Sequence, residues 1–480
     1  MGIVHKGATL VPSKLELVTA WMPRQRWYAG KGHDPLLRRV GGFRLEDPEG
    51  EVGVETLLLA DTAVRPPVVY QVPLTYRGTP LDGGEHALVG TMEHSVLGTR
   101  WVYDGPHDPV YVRTLVDTIL HSASSDIAQA SAGSNALAVG HATGRFSGVV
   151  EEGKVLVGEQ SNTSIICRMR TLEGGPAEPV IVKVFRTVQD GDNPDVVVQS
   201  ALTDAGSTSV PAALGDLSGS WDSPVEGGPE QHGHLAFAQE FIPGVDDAWR
   251  VALVAAATAT DFTERARELG ATTARIHADL AASLGTEPAS DDARRALVDS
   301  MRERYAAAVA FVPELAERER EVVAVLDSVL DVEWPALQRV HGDYHLGQVL
   351  DVPERGWVAL DFEGEPLRPL SERVRPDLTA RDVAGMLRSF DYVAGSVHLA
   401  DERIDATAWA RACRAAFLDG YESVARPADA GLLPAEQVLT RALELDKALY
   451  EVVYEARNRP TWLPIPLGAV HRLLDEGDVA

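Results

Sequence analysis

The sequence predicts an α+β fold in two lobes, a β-rich N-terminal lobe and a mostly helical C-terminal lobe, preceded by a small N-terminal subdomain. Short apolar or alternating stretches bounded by Gly and Pro recur up to about residue 242 and indicate strands. After Gly244 the apolar residues recur at helical spacing over long segments. We place the three parts at residues 1–98, 99–240 and 241–480.

The first part combines a helix with strands. The stretch SKLELVTAWMPRQRWYA (13–29) has helical periodicity, whereas EVGVETLLLA (51–60) and PPVVYQVPLTYR (66–77) have the apolar character of strands. This composition predicts a small α+β unit.

The middle part is predicted to be mainly β. Its strand candidates are GKVLVG (153–158), TSIICRMR (163–170), PVIVKVFR (179–186) and HLAFAQEFI (234–242). Residues 215–234 are rich in Gly, Ser and Pro, and we expect a mobile loop there.

The last part is predicted to be helical, with one short hairpin. Helices are expected over 260–284, 290–330, 380–400, 404–425 and 435–458. A β-rich lobe, an extended connector and a helical lobe, in this order, are expected of a kinase-like phosphotransferase.

The hairpin carries the most informative charges, in RVHGDYHLGQVLDVPERGWVALDFEGEP (339–366). Apolar runs at 349–350 and 357–360 predict two paired strands, which would bring Asp343 near Asp361. Two carboxylates beside the amide of Gln348 need a cation, and Mg²⁺ prefers such oxygen ligands. We expect Gln348 and Asp361 to hold Mg²⁺, with Glu363 as a further contact. The alternative is a solvated loop whose charges cluster by chance.

The residues around Asp343 allow two interpretations. The spacing of His341, Asp343 and His345 would suit zinc only on a strand or irregular loop, and the sequence has no HExxH helix. In the kinase interpretation Asp343 is the base that orients the attacking hydroxyl, and His341 and His345 contact the substrate. His277, within a predicted helix, is expected to be structural.

Three further segments are candidates for ATP. Lys183 in a buried strand needs an anion and would meet the phosphates, unless it points outward. The small polar residues of GEQSNTS (158–164) form a predicted turn that could cover phosphates, although most such turns are only turns. The strand-to-helix connector could present backbone groups to adenine, or could be an ordinary interdomain link. The residues assigned to ATP are Lys183, Ser161, Asn162, Thr163, Ser164, Gln239, Glu240, Phe241 and Ile242.

The helix near the C-terminus combines aromatic and charged residues at helical spacing. Such a face suits a sugar, because carboxylates and guanidinium groups bind hydroxyls and rings cover the C–H side. The alternative is a solvated helix with ion pairs along its surface. The residues assigned to the sugar are Lys447, Tyr450, Glu451, Tyr454 and Arg457.

Composition limits the possible partners. The formal charge of −27 argues against nucleic acid or an anionic membrane as a partner. Cys167 and Cys413 alone cannot form a disulfide framework or a zinc motif. There is no apolar run of about 18 residues and no leader-like N-terminus, so we expect a cytoplasmic protein.

These motifs resemble those of the actinobacterial maltokinases, relatives of the aminoglycoside phosphotransferases. The similar stretches are HGDYHLGQ with DFEGEP, WMPRQRWYAGKG, EQSNTS, DVAGMLRSFDY and YEARNRPTWLPIPL, which span residues 21–467. The resemblance implies an N-terminal cap subdomain and a bilobal kinase-like fold. It also implies ATP- and Mg²⁺-dependent phosphorylation of maltose to maltose 1-phosphate, with Asp343 as catalytic base. The product would feed α-glucan (glycogen) synthesis from trehalose, with trehalose synthase as a possible partner.

Two departures and three alternatives accompany this resemblance. Gln348 stands where the wider phosphotransferase pattern has Asn, and the ion-pair partner of Lys183 is not fixed, with Asp195 and Asp204 as candidates. The nearest alternative is a kinase of another sugar such as glucosamine, whose ammonium Glu451 or Glu455 could bind. The others are a non-catalytic pseudokinase and a metal-dependent phosphate-ester hydrolase.

Overall fold

The structure is a computed structural model that describes residues 7–125, 138–157, 162–365, 370–425 and 434–475. The chain forms two compact units, one of residues 1–196 and 212–243 and one of residues 197–211 and 244–480. The predicted α+β fold, with a β-rich N-terminal part and a helical C-terminal part, is confirmed. In the described ranges, no helix is long and apolar enough to cross a membrane.

The first unit is built from two antiparallel sheets with two helices, α1 (Lys14–Trp21) and α2 (Pro109–Leu120). The strands of the first sheet are β1 (Leu10–Val11), β2 (Leu37–Leu45), β3 (Gly53–Asp61), β4 (Val68–Arg77), β5 (Leu88–His94), β6 (Gly98–Asp104) and β11 (Thr187–Val188). The strands of the second are β7 (Ala138–Ala142), β8 (Val149–Val155), β9 (Asn162–Arg170), β10 (Pro176–Phe185), β12 (Ala213–Trp221) and β13 (Gln231–Glu240). A third helix, α3 (Pro194–Asp204), begins in the first unit and ends in the second.

The first sheet buries both of its faces, in the order β1-β5-β6-β4-β3-β2 with β11 beside β4. Side chains alternate between the faces of a strand. Leu57 and Leu59 of β3 therefore pack into a cluster with Trp21 and Trp27, whereas Leu58 packs into the core that contains α2 and the second sheet. Two buried faces explain the nearly continuous apolar run in β3.

Chain segments far apart in sequence join the two sheets. Strand β11 follows β10 of the second sheet and pairs with β4 of the first, with Thr187 opposite Tyr70. The side-chain amide of Gln71 in β4 donates hydrogen bonds to the carbonyls of Phe185 and Leu235, each 2.8 Å long. The first unit is therefore cross-linked between its two sheets.

The loop predicted over 215–234 is restricted to residues 222–230. Residues 213–221 and 231–240 form the paired strands β12 and β13, in a sheet ordered β7-β12-β13-β10-β9-β8. The glycines lie where backbones approach closely, since a Cβ on Gly215 would lie 2.5 Å from the carbonyl oxygen of His141 and one on Gly233 would lie 2.6 Å from that of Gln189. Glycine in these strands provides space for close contact.

The second unit is mainly helical. Its helices are α4 (Ala248–Ala257), α5 (Thr263–Leu284), α6 (Asp291–Phe311), α7 (Glu319–Asp327), α8 (Leu370–Arg373), α9 (Ala380–Ala400), α10 (Thr407–Ala425), α11 (Pro434–Asn458) and α12 (Pro464–Asp475). Its strands are β14 (Asp246–Asp247), β15 (Thr286–Glu287), β16 (Leu337–Gln338), β17 (Val349–Val352) and β18 (Gly356–Ala359). One apolar core surrounds α4, α5, α9 and α10, and another lies between α6, α7, α11 and α12.

Two helix predictions need correction. The single helix expected over 290–330 is divided into α6 and α7, because Pro313 cannot continue α6 and a 3₁₀ turn follows. Helix α2 was not anticipated in the region predicted to be mainly β. Its start has local signals, since Asp108 accepts a hydrogen bond from the Val110 amide and Pro109 occupies the first turn.

Candidate active site

In the second unit, the backbone of His341 and Gly342 is held by Asp382 of α9. The two carboxylate oxygens of Asp382 accept the amides of His341 and Gly342, both at 2.8 Å. His277 Nε2 lies 3.0 Å from the same carboxylate, which is 1% exposed. Although burial opposes the charge, the contact with His277 holds the pKa of Asp382 below its usual range. A buried anion therefore fixes the loop that leads to Asp343, and His277 is structural as expected.

This contact predicts a loss of stability in acid. A carboxylate whose folded pKa lies below its unfolded value of about 3.9 stabilises the fold above about pH 4, and that contribution is lost as the pH falls through the folded pKa. The variant Asp382→Asn should therefore be less stable than wild type at pH 7, and its free energy of unfolding should change less between pH 4 and pH 2. Urea unfolding across this range measures both.

Asp401 is a suitable control, because its half-exposed carboxylate bonds with Arg403 only two residues away, and so local a contact adds little to the difference in proton binding between the folded and unfolded chain. The variant Asp401→Asn should change the acid profile much less than Asp382→Asn does. An unchanged acid profile in Asp382→Asn would contradict the role of Asp382.

His341 and His345, which were predicted to contact the substrate, both bond to backbone groups of the protein. His341 is buried, its Nε2 lies 2.8 Å from the carbonyl oxygen of Leu360, and its ring lies 4.7 Å from that of Phe362. His345 Nδ1 accepts the Gly347 amide at 3.0 Å, and burial lowers the pKa of His345. The structure gives both residues a part in shaping the loop.

Asp343 is part of a charged triad with Lys447 and Glu365. Lys447 Nζ lies 3.1 Å from Asp343 Oδ1 and 3.0 Å from Glu365 Oε1. Burial alone would lower the pKa of Lys447, but the carboxylates of Glu365 and Asp343 outweigh it and raise that pKa. Lys447 is therefore a permanent cation that holds Asp343 in place.

The predicted hairpin is present and brings together Gln348 and Asp361, two of the candidate Mg²⁺ ligands. Strands β17 and β18 pair with Leu350 opposite Val358, and the Leu360 amide donates to the Gln348 carbonyl at 2.8 Å. The side-chain amide of Gln348 lies 3.3 Å from Asp361 Oδ2. Asp361 itself adopts φ +63°, a left-handed conformation that is uncommon outside glycine. The backbone therefore turns sharply at Asp361, immediately after the strand.

These residues fit a hard divalent cation. A carboxylate oxygen of Asp361 and one of Glu363 lie within 4.8 Å of each other, and Gln348 supplies an amide beside Asp361. Oxygen donors of this kind suit Mg²⁺. A nearby guanidinium, Arg373, donates to the Glu363 carbonyl at 2.9 Å, and burial lowers its pKa.

In the first unit, Lys183 has the buried position that its sequence context predicts. Its ammonium lies 2.7 Å from Asp195 Oδ2, Lys183 is 9% exposed and Asp195 is fully buried. The alternative in which Lys183 points to solvent is excluded. Of the two candidate partners, Asp195 at the start of α3 makes the ion pair.

Breaking this pair should destabilise the protein. The variant Lys183→Met leaves a buried carboxylate without its ammonium, which costs about 3–5 kcal/mol. Replacing both partners, Lys183→Met with Asp195→Leu, should restore most of that loss, because an apolar pair has no charge to desolvate. Urea unfolding of the two variants and wild type tests this, and equal losses in the single and double variants would contradict it.

The residues expected to cover phosphates are only partly described. Ser161 lies outside the described residues, whereas Asn162, Thr163 and Ser164 belong to the start of β9 rather than to the predicted turn. Thr163 Oγ1 accepts a hydrogen bond from Arg186 Nε at 2.8 Å. The strand begins at Asn162, one residue before the predicted stretch 163–170, and Asn162–Ser164 pair with Lys183–Phe185 of β10.

The expected adenine segment begins inside a strand. Gln239 and Glu240 are the last residues of β13, and the amides of Glu240 and Phe241 donate to the carbonyls of Ala212 and Pro179. Ile242 follows the strand. The strand therefore ends two residues before the end of the predicted stretch 234–242, and Phe241 and Ile242 belong to the connector.

The residues predicted on one face of α11 meet different neighbours. Lys447 and Tyr450 lie together, with the ammonium 5.1 Å from the ring centre, and the ring of Tyr454 stacks on that of Tyr450 at 6.5 Å. Glu451 instead points inward to Arg388, and Arg457 lies over the ring of Phe311 at 4.8 Å. Only Lys447, Tyr450 and Tyr454 remain as one surface beside Asp343.

Sequence analysis missed Asp382 and Glu365 in the second unit, and it did not decide that Asp195 is the partner of Lys183 in the first unit. Asp382 lies in the quoted DVAGMLRSFDY motif, and its place at the start of a helix of buried apolar residues was the available signal. Glu365 lies in DFEGEP beside residues that were assigned. Neither contact could be derived from spacing, since both partners are about 40 or more residues away.

Known proteins share parts of this chain. Residues 21–108 match the maltokinase N-terminal cap domain. A glucosamine kinase of Streptacidiphilus jiangxiensis is 34% identical over 261 residues, which are 50% of this chain and 58% of that protein. A glucosamine kinase of Mycolicibacterium smegmatis is 29% identical over 344 residues, 66% of this chain and 79% of that protein. The chain thus spans less than two thirds of the first relative.

A solved structure agrees over almost the whole chain. It is a glucosamine kinase in complex with glucosamine, ADP and inorganic phosphate, 24% identical, with a TM-score of 0.67 over 96% of this chain and 99% of that one. This likeness confirms the kinase-like fold. The match of residues 21–108 confirms the predicted resemblance to maltokinases in the cap domain.

Proposed function

We propose that this chain, which combines a maltokinase-type cap with a kinase-like fold, is an ATP- and Mg²⁺-dependent sugar kinase. The observation that carries the proposal is the triad of Asp343, Lys447 and Glu365, in which Asp343 follows a loop fixed by Asp382. A carboxylate held in one orientation by a half-buried cation suits a base that must meet a hydroxyl group. The relatives named as sugar kinases support the same reaction class.

The proposed roles follow the chemistry of each side chain. Asp343 orients the attacking hydroxyl and accepts its proton, and Lys447 keeps Asp343 in position. Gln348, Asp361 and Glu363 would hold Mg²⁺, which neutralises phosphate charge when bound. Lys183, oriented by Asp195, would meet the phosphates of ATP, as would Asn162, Thr163 and Ser164. Gln239 to Ile242 would border the adenine.

We propose maltose as the acceptor, phosphorylated at its anomeric hydroxyl to maltose 1-phosphate. The match of residues 21–108 to the maltokinase cap domain supports this choice. The rings of Tyr450 and Tyr454 beside Lys447 would cover the C–H side of the sugar. The product would enter α-glucan synthesis from trehalose, with trehalose synthase as a possible partner.

Glucosamine is the second candidate, favoured by the names of the relatives. The two carboxylates that could bind its ammonium are engaged elsewhere. Glu451 pairs with Arg388, and Glu455 pairs with Arg459 at 2.6 Å and accepts the Tyr392 hydroxyl. An acceptor without a positive charge is therefore the simpler fit for this helix.

The test is ADP release with Mg²⁺ and ATP across maltose, glucose, glucosamine, trehalose and an aminoglycoside. Turnover with maltose, giving a product without a reducing end, is the expected result. Turnover with glucosamine and not maltose would transfer the proposal to the second candidate. ADP release without any sugar would indicate a phosphate hydrolase, and no turnover at all would contradict a sugar kinase.

A further inference from the structure

The second unit contains a cavity of about 680 Å³ between α9, α10 and α12. Small residues on all three helices create the space, and they include Ala394, Ala406, Ala410 and Gly468. A Cβ built on Gly468 would have no atom within 4 Å. A cavity of this volume is large enough for a metabolite the size of a sugar phosphate.

This cavity is separate from the candidate active site. Its lining on α9 runs from Asp391 to His398, whereas Asp382, which fixes the loop before Asp343, lies near the start of the same helix. Ala394 follows Asp382 by about 18 Å along the helix axis, at about 1.5 Å per residue. None of the residues assigned to ATP, Mg²⁺ or the sugar lines it.

Three arginines line the cavity in an acidic chain. Arg411, Arg414 and Arg472 line it together with two acidic residues, Asp391 and Asp405, in a protein of formal charge −27. Within the described part of the chain, Arg411 is exposed and forms no ion pair.

Both acidic side chains are already occupied by protein groups. Asp391 Oδ2 accepts hydrogen bonds from Arg388 at 2.7 Å, Arg472 at 2.8 Å and Arg414 at 3.3 Å. Asp405 Oδ1 accepts the Thr407 amide at 2.9 Å at the start of α10. They are therefore poor sites for a ligand cation, and the guanidinium of Arg411 is the charge available to a ligand.

We propose that this cavity binds a small organic anion through Arg411. A guanidinium fork fits a phosphate monoester or a carboxylate equally, so oxyanion chemistry defines the ligand class. The small side chains of α9, α10 and α12 would surround the uncharged part of the ligand.

The proposal is tested by titrating the whole protein calorimetrically with glucose 6-phosphate, citrate and inorganic phosphate at low ionic strength. Wild type should bind at least one of these probes. Gly468→Leu places a side chain in the cavity, where a Cβ meets no atom within 4 Å, and should weaken that binding about tenfold or more, and Arg411→Gln should weaken it about tenfold. Arg414 and Arg472 are kept, because they also pair with the buried Glu444 and their loss could unfold the unit.

Two controls separate this site from others. Arg320→Gln removes a different exposed arginine of the second unit and should not change binding. Asp361→Asn alters the candidate active site and should leave the cavity signal intact. The proposal is overturned if none of the three probes binds wild type. It is also overturned if Gly468→Leu binds a probe with wild-type affinity. Neither result depends on which sugar the enzyme phosphorylates.

Discussion

Replacing Asp343 with Asn is expected to lower kcat for sugar phosphorylation by about 10²–10⁴-fold, with little change in KM for ATP. Asparagine has the same size and can still accept a hydrogen bond from Lys447 Nζ, which lies 3.1 Å from Asp343 Oδ1. It cannot accept the proton of the attacking hydroxyl. The loss should therefore appear in the chemical step, measured as steady-state ADP release with saturating sugar.

A matched control lies on the same hairpin. Asp351 is a partly exposed carboxylate that pairs with Arg265 at 2.6 Å. Asp351→Asn removes the same charge from β17 without touching the triad, and its kcat should stay within about twofold of wild type. If Asp343→Asn also kept a near-normal kcat, Asp343 would not be the base. The ADP-release test with the five sugars would still identify the reaction in that case.

The second large effect is expected at Asp361. Both Asp361→Asn and Asp361→Ala should abolish Mg²⁺-dependent nucleotide binding, because both remove the carboxylate next to Glu363. They should differ in stability. Asparagine tolerates φ +63°, whereas alanine in this conformation costs about 1–2 kcal/mol. Calorimetric titration of ATP with and without Mg²⁺, and urea unfolding of each variant, measure the two effects separately.

This pair of variants separates charge from backbone strain. Loss of nucleotide binding only in Asp361→Ala would show that the turn matters and the carboxylate does not. Binding that is unchanged in both variants would remove Asp361 from the metal site. A third variant, Asp361→Gly, relieves the strain and should restore the stability but not the binding.

Much of the fold and part of the site follow from local patterns in the sequence. The hairpin of β17 and β18 and the burial of Lys183 in β10 were predicted, because apolar runs bounded by turns and charges have few other solutions. The glycine-rich stretch 215–234 misled the prediction, since composition does not show whether a glycine serves a turn or a close backbone contact. The structure resolves this at Gly215 and Gly233.

The rest of the site depends on contacts between distant segments. Periodicity placed Lys447, Glu451 and Arg457 at helical spacing on α11, but it could not show which neighbours each side chain meets. Glu451 meets a buried cation, Arg388, whereas Arg457 lies on the surface over the ring of Phe311. The spacing of residues along a helix gives the angle at which each side chain leaves the helix axis. Which of these angles faces a ligand depends on how the helix packs against its neighbours.

The pairing of β11 with β4 has a consequence for building chimaeras. The matched cap domain ends at residue 108, yet one strand of its sheet comes from residues 187–188. A gene fragment that ends near 108 would encode a sheet without that strand, and would leave Gln71 without the carbonyls of Phe185 and Leu235. Exchanging caps between related enzymes should therefore succeed only when both segments are inherited from the same parent.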